Sequence, residues 1–341
     1  MRKRHLFCKT CSNLLVPWGF TSSGKKRYRC NDCHKSRIYR YEQKEQKLFV
    51  LFRQYVLWGS TYEQLASLSG YTTAHLVFVF HTYLRKPPPD LPLIPQTGMD
   101  ETFLLIDGLW FGRWFVLMVY RQHKDLTILR ISSMGKEVSS KIQKDLLWID
   151  QHYTFTGIVS DGGTGIVAAV QEVFPHTPHQ HCLVHLHRDA TNGLGKHPKD
   201  PRTQKLKTLA DHLFLIESKE ALSWWKQYVH IWITTYWNFL HEYRRDDKGH
   251  WWYIHKGARK TVRILSKAPK TSFVFLNHPT MPKTTNEIEA QFGHLEKRWL
   301  AHRGLKRERW NTFLTWFVYF YNQEKLASSK SKKDTKNNTE S

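Results

Sequence analysis

Two sets of side chains in this 341-residue sequence have the types and spacing to hold metal ions. The first is Cys8-x2-Cys11 followed, after an 18-residue spacer, by Cys30-x2-Cys33. Two such knuckles supply four thiolates that close tetrahedrally around Zn²⁺. Disulfides are the alternative use of the four thiols, and an N-terminus without the apolar stretch of a signal peptide argues against them. The second set is carboxylates: Asp107 before Gly108, Asp161 before Gly162-Gly163, and Glu289 three residues after Asn286. Hard oxygen ligands suit Mg²⁺ or Mn²⁺. Two such ions about 3.5–4 Å apart stabilise both the attacking and the leaving oxygen of an in-line phosphoryl displacement. A single aspartate at a strand end more often serves a turn, so the surrounding elements decide.

Around the cysteines, Trp18-Gly19, Ser22-Ser23-Gly24 and the run Lys25, Lys26, Arg27, Tyr28, Arg29 predict a short hairpin with a basic second strand. Residues 1–40 read as a zinc ribbon carrying eleven Lys and Arg against only Asp32, so Lys25, Lys26, Arg27 and Arg29 are expected to grip DNA. From residue 41 to 86 the period turns helical, with Leu48, Leu51, Phe52 and Tyr55 on one face. Thr61 is the expected N-cap of a helix carrying Leu65 and Ala66. Gly70 supplies a left-handed turn, and Leu76 and Val79 pack back from a second helix. This is helix-turn-helix grammar, with Thr72, Thr73 and His75 at the N-terminal end of the second helix, where base edges are read; any helical hairpin shows the same pattern. Residues 87–97 are a stiff Pro-rich linker and the expected domain boundary.

Beyond it, Thr102 to Asp107, Arg113 to Tyr120 and Leu126 to Ser133 read as strands, and Lys136 to Ile149 as a helix. Thr156 to Ser160 is a fourth strand, Gly165 to Val173 a helix, and His181 to Val184 a fifth strand. That order predicts an α/β domain of ribonuclease H type over 98–325, with a helical insertion at about 190–275 and strand grammar there only at Ser272 to Phe275. Its Trp224, Trp225, Tyr228, Trp232, Tyr236 and Trp237 are expected to pack the insertion's own core, with stacking on unpaired bases as the alternative. In such a sheet the ends bearing Asp107 and Asp161 are neighbours. Thr284, Thr285 and Asn286 open a late helix on which Glu289 borders the buried stripe of Ile288, Phe292, Leu295 and Trp299, while Glu287 points elsewhere. Asp100 is the alternative to Asp107. Arg298, Arg303 and Arg307 are expected to meet phosphates, or else to form a solvated helix face, and 326–341 is expected to be a disordered basic tail.

Taken in order, Asp107-Gly108, Ser160-Asp161-Gly162-Gly163, Cys182-x2-His185, and Asn286-x2-Glu289 with Arg298 resemble the transposases of the Mutator superfamily. The compact bacterial and archaeal insertion-sequence members are the most similar. The resemblance covers roughly residues 98–325. It implies a DDE site of Asp107, Asp161 and Glu289 that uses Mg²⁺ or Mn²⁺ to hydrolyse DNA at the element's ends. The freed 3′-hydroxyl then joins target DNA by transesterification. Cys182 and His185 would be the family's Cys-His pair, which His179, His181 or His187 could extend into a metal site. Glu287, two residues before Glu289, departs from the more familiar members and makes the third ligand less definite.

Charge agrees with a DNA partner. The formal net charge is +23: residues 1–95 carry 16 basic and 5 acidic side chains, 96–190 carry 8 and 10, and the remainder is basic again. Basic flanks release counterions on meeting double-stranded DNA, and the acidic middle is where a cation would sit. With 40% apolar residues a wholly disordered protein is excluded. The longest apolar run, Phe313 to Tyr321, is too short for a membrane span, so a cytoplasmic, nucleoid-associated protein is expected. Pairing two element ends implies at least a homodimer. The alternatives are a ribonuclease H fold nuclease or resolvase that cuts without joining, and a zinc-ribbon/helix-turn-helix regulator derived from a transposase.

Overall fold

The basic spacer between the cysteine pairs turns where the Thr21 hydroxyl accepts the Lys25 N–H and Gly24 takes φ +73°. It forms β1 (Leu15–Phe20) antiparallel to β2 (Lys26–Cys30), and β3 (Ser36–Ile38) pairs on the other edge of β2. The computed structural model describes residues 6–8, 10–89, 101–123, 127–288 and 305–337. It divides into two compact units, Met1–Pro89 with Lys297–Tyr321, and Asp90–Glu296 with Asn322–Ser341. Part of the Pro-rich linker, 90–97, lies outside the described residues, as does Asp100.

In the first unit, α1 (Tyr39–Trp58), α2 (Tyr62–Ser69) and α3 (Thr73–Tyr83) follow the ribbon. Thr61 and Gln64 form a reciprocal capping box at the start of α2. Gly70 ends α2 at φ +75°, and the Thr72 hydroxyl accepts the His75 N–H to cap α3. Leu65 and Leu76 are buried as expected, but Phe80, not Val79, is the second fully buried residue of α3. The reason is an aromatic core: Phe52 lies 5.4 Å from both Phe80 and Trp316. Trp316 belongs to a final helix, α11 (Trp310–Asn337), and its indole donates to the Lys86 carbonyl beyond the end of α3. Residues 326–337, expected as a disordered tail, continue α11; once the turns before them are formed, adding further residues is inexpensive.

The second unit is mixed α/β. Strands β4 (Phe103–Phe111), β5 (Phe115–Gln122), β6 (Ile128–Met134), β7 (Gly157–Ser160) and β8 (His179–His181) form one sheet in the order β6-β5-β4-β7-β8. Strand β5 runs against its neighbours and the other four run together. Leu104 and Ile106 face α4 (Ser139–Asp150) and α5 (Thr164–Val173) through one apolar core, so Asp107 points to the opposite face. The fifth strand comes earlier than expected. His179 to His181 pair with β7, and Cys182 already caps α6 (Leu183–Thr191).

The insertion consists of α7 (Pro201–Asp211), α8 (Lys219–Thr235), α9 (Trp237–His241) and α10 (Lys256–Ser266). It also holds a hairpin that the sequence reading missed, β9 (Tyr243–Arg245) with β10 (Trp251–Tyr253). Ser272 to Phe275, read as a strand, lie in a 3-10 segment, Lys270–Leu276, whose Ser272 carbonyl and Phe275 N–H bond the Gln180 amide. Of the expected aromatic core, Trp225 and Trp232 are buried, with indoles donating to the Leu209 and Arg202 carbonyls. Trp224, Tyr228 and Trp237 are exposed. No helix among the described residues is long and apolar enough to cross a membrane.

The turn after α6 and the first turn of α10 approach backbone to backbone through Gly193 and Gly257. A Cβ on Gly257 would stand 1.9 Å from the Gly193 carbonyl oxygen, which nothing but backbone movement can relieve. Gly257→Ala is therefore expected to destabilise the protein by about 3 kcal/mol, read as a lower midpoint in thermal unfolding; an unchanged midpoint would contradict the close crossing.

Candidate functional site

Each cysteine pair is a knuckle whose last cysteine precedes a residue in left-handed backbone, Ser12 and His34, both at φ +57°. The four Sγ atoms lie within 4.8 Å of one another, Cys8 to Cys33 and Cys11 to Cys30 at 3.3 Å. Tetrahedral Zn–S bonds of about 2.3 Å put sulfurs about 3.8 Å apart, so the cluster fits that ion with small adjustment. Backbone N–H groups of Thr10 and Cys11 hold the Cys8 thiol down at about 6, whereas thiol–thiol hydrogen bonds and burial push Cys11 and Cys33 up, so without a metal the thiols do not all favour the thiolate.

At the sheet, parallel pairing sets Ile106 opposite Ser160, so Asp107 stands level with Asp161 where β7 runs out. Asp107 does not end its strand: β4 continues to Phe111, and Asp107 pairs with Val119. Its carboxylate is 4% exposed, accepting the Gly108 N–H (2.8 Å) and the Thr285 hydroxyl (2.9 Å). Asp161 accepts the Gly163 N–H at 2.8 Å. One ligand atom each from Asp107, Asp161 and His185 lies within 4.8 Å of the others. Burial pushes Asp107 up to about 6, with the nearby Asp161 charge adding to the rise and His185 opposing it.

His185 sits one turn into α6 behind Cys182, itself 1% exposed. Burial works to lower the His185 pKa, but the Cys182 hydrogen bond and the Asp107 charge reverse it upward. For Cys182, burial raises, yet the bonds from His185 and Thr285 bring the thiol down. Each partner thus shifts the other toward its charged form, against the burial of both. The other histidines do not extend it: His179 bonds Ser160 (2.8 Å), His181 bonds Thr271 (3.1 Å) and His187 pairs with Asp211 (2.7 Å).

The sequence reading missed Glu137, in the loop before α4. A Cβ on Gly108 would meet one of its carboxylate oxygens at 2.9 Å and a Cβ on Gly163 the other at 3.1 Å. Burial and then the Asp161 charge raise its pKa. The glycines after each aspartate, read as room for a ligand, also make room for this third acid. Strand order could have found it: β6 runs parallel to β4 and its loop leaves at the same sheet end.

Glu289 lies outside the described residues, as do Arg298 and Arg303. The helical turn before Glu289 is anchored, since the Thr285 N–H donates to Cys182 Sγ (3.3 Å) and Leu183 N–H to the Lys283 carbonyl (3.0 Å). Glu287 is committed elsewhere: its carboxylate pairs with His123 (3.2 Å) and Arg121 (3.5 Å), whose guanidinium also donates to its carbonyl. Among the other DNA candidates, Lys25 and Lys26 are exposed, Arg27 is half-buried, and Arg29 lies 4.4 Å over the Trp18 ring. Thr72 and Thr73 are exposed, Thr72 serving as the cap, and His75 is half-buried against Tyr71. Arg307 opens a 3-10 turn, Arg307–Arg309, and its side chain lies outside the description.

Residues 155–257 match the family described as "Transposase, Mutator family". The transposase for insertion sequence element ISRM5 of Rhizobium meliloti (strain 1021) is 36% identical over 131 residues, 37% of this chain and 30% of that protein's length. Among solved structures, the catalytic core domain of BIV integrase aligns at 16% identity over 43% of this chain and 88% of its own, with a TM-score of 0.19. A simian T-cell lymphotropic virus intasome chain aligns at 16% identity over 46% and 57%, also with a TM-score of 0.19.

Asp107 gives a prediction with a sign. Its pKa in the fold lies above that of an unfolded aspartate, so metal-free protein gains stability as pH falls from about 6 toward about 4 and loses it as pH rises through that window. At pH 7.5 the ionised carboxylate costs about 3 kcal/mol. Asp107→Asn should therefore raise the unfolding midpoint of metal-free protein at pH 7.5, by about 2 kcal/mol. Mn²⁺ should stabilise the parent and leave the variant unmoved, both read by calorimetry; an equal response to Mn²⁺ would sink the assignment.

Proposed function

The chain belongs to the Mutator family of transposases, and on that premise we propose that it is a DNA transposase. In this reading it binds element ends, hydrolyses them and joins the 3′-hydroxyls to target DNA. The observation that carries the chemistry is the meeting of Asp107 and Asp161 at one end of parallel strands, within reach of one cation. The sheet order β6-β5-β4-β7-β8, with only β5 reversed, supports a ribonuclease H-like catalytic domain. The match spans 30% of the curated relative's length, so activity, substrate and partners are this proposal's own.

Asp107 and Asp161 would hold Mg²⁺ or Mn²⁺, which supplies charge for the attacking and leaving oxygens. Thr285 and Gly108 fix one carboxylate and Gly163 the other, so neither has to be organised when DNA arrives. Glu289 is the proposed third ligand, a role favoured by the commitment of its rival Glu287 to Arg121 and His123. Glu137 is proposed to adjust the charge at the same end. His185 is proposed to lend its field to Asp107, whose charge in turn favours the protonated imidazole. In the front unit the four cysteines would hold Zn²⁺ and present Lys25, Lys26, Arg27 and Arg29 to duplex DNA, with α2 and α3 as a helix-turn-helix. Arg298, Arg303 and Arg307 are assigned to phosphates, and the working complex to a homodimer or larger.

Purified protein with Mn²⁺ and pre-cut ends should give strand-transfer products on a gel. Asp161→Asn should lower them more than about 1,000-fold with end binding retained; hydrolysis without any joining would favour a nuclease. Zinc content gives a separate reading. The parent should carry one Zn²⁺ per chain by atomic absorption and Cys30→Ser none, with duplex binding falling alongside.

A further inference from the structure

The hairpin β9–β10 and helices α9 and α10 enclose a groove of about 580 Å³ with two kinds of wall. One is a file of rings. Trp237 meets His241 at a tilt (4.1 Å between centroids), and His241 meets Tyr253 (6.2 Å), Tyr253 meets Trp251 (5.1 Å) and Trp251 meets Tyr243 (6.2 Å) edge-on. Trp237, His241 and Tyr253 line the groove, and Trp251 and Tyr243 continue the file beyond it through edge-on contacts; Trp237, Trp251 and Tyr243 are 55%, 54% and 59% exposed.

The other wall is cationic. Lys256, Arg259, Lys260 and Arg263 recur at helical spacing on α10 and line the groove. No carboxylate lines it, and Lys256, Lys260 and Arg263 make no ion pair among the described residues. Arg259 stays in the wall, 3.5 Å over the Tyr253 ring and donating to the Leu240 carbonyl. Glu242, just before β9, is paired with His255 at 2.8 Å, and Asp246 in the hairpin turn with His250 at 3.0 Å.

Like charges three and four residues apart destabilise a helix, and exposed tryptophans keep apolar surface in water. Both costs are relieved together by one class of ligand, a polyanion that also offers flat apolar faces. A duplex hides its base faces in the stack, whereas an unpaired strand shows them. Successive bases then stack on rings while the backbone follows the cations.

We propose that this groove binds unpaired DNA nucleotides, such as strand ends freed from a duplex. The inference rests on the transposase reading for why unpaired DNA is present, and on the groove itself for how it is held. The occupied stretch is short, since the groove is of small-ligand size.

The test uses the full chain without divalent metal and fluorescence anisotropy of labelled oligothymidylate of about 12 nucleotides, with a duplex of equal length as reference. The Trp237→Ala/Trp251→Ala double variant should weaken single-strand binding about tenfold or more while changing duplex binding by less than about threefold. Trp237→Phe, which keeps a ring, should retain most of the affinity. Lys260→Ala/Arg263→Ala should weaken it too and flatten its salt dependence. Single-strand binding by the double alanine variant equal to that of the parent would overturn the proposal, as would equal loss for single strand and duplex. Complete displacement by inorganic polyphosphate at matched phosphate concentration would overturn it as well. Because this assay needs no cleavage, absence of strand-transfer products from the parent would defeat the transposase reading and leave the groove measurement standing.

Discussion

Keeping a carboxylate ionised at a site only 4% exposed is the constraint around which the second unit is arranged. Asp107 could have been relieved by a salt bridge, and Arg121, two residues past its cross-strand neighbour Val119, is buried nearby in sequence. That guanidinium is turned instead to Glu287. What Asp107 receives is a backbone N–H, a hydroxyl and the field of His185, enough to orient the carboxylate and too little to cancel the cost of burial. A buried charge left short in this way is destabilising on its own terms, which is how a fold looks where stability has been exchanged for a site.

The demand spreads outward from that carboxylate. Thr285 must reach Asp107, so the 283–288 segment is tied at Leu183 and Cys182, which fixes the start of α6 and brings His185 one turn later. Gly163 has to bring its N–H onto Asp161 while leaving space for Glu137, and a side chain there would press on both carboxylates. A primary amide is at work on each edge strand. Gln180 bonds the 3-10 segment Lys270–Leu276, and Asn322 takes both the N–H and the C=O of Ile128 on β6. An edge strand closed by a side chain cannot pair with a second chain at that point.

How much of this was legible depended on whether a residue advertised its surroundings. Asp107 and Asp161 did, because each ends a run of apolar, β-branched residues and precedes glycine. Thr61, Gly70 and Thr72 did, because capping and left-handed turns have narrow residue preferences. Glu137 did not: it stands in a loop among Lys136 and Val138, and only the pairing of β6 through β5 to β4 brings it to the aspartates. The β9–β10 hairpin hid because its three-residue strands lie almost wholly in solvent and lack the alternation that burial imposes. Ser272 to Phe275 looked like a strand for the converse reason. Apolar residues were there to bury, but Gln180 offers an amide rather than a strand edge to pair with.

Counting charge at the sheet end takes the reading one step further than either aspartate does alone. Glu137 stands beside the cluster of Asp107, Asp161 and His185, its carboxylate oxygens against Gly108 and Gly163. Burial and the Asp161 charge raise the pKa values of both Asp107 and Glu137, a cost that a divalent cation would relieve. Glu137, absent from the resemblance, therefore adds its charge to the end of the sheet where Asp107 and Asp161 meet.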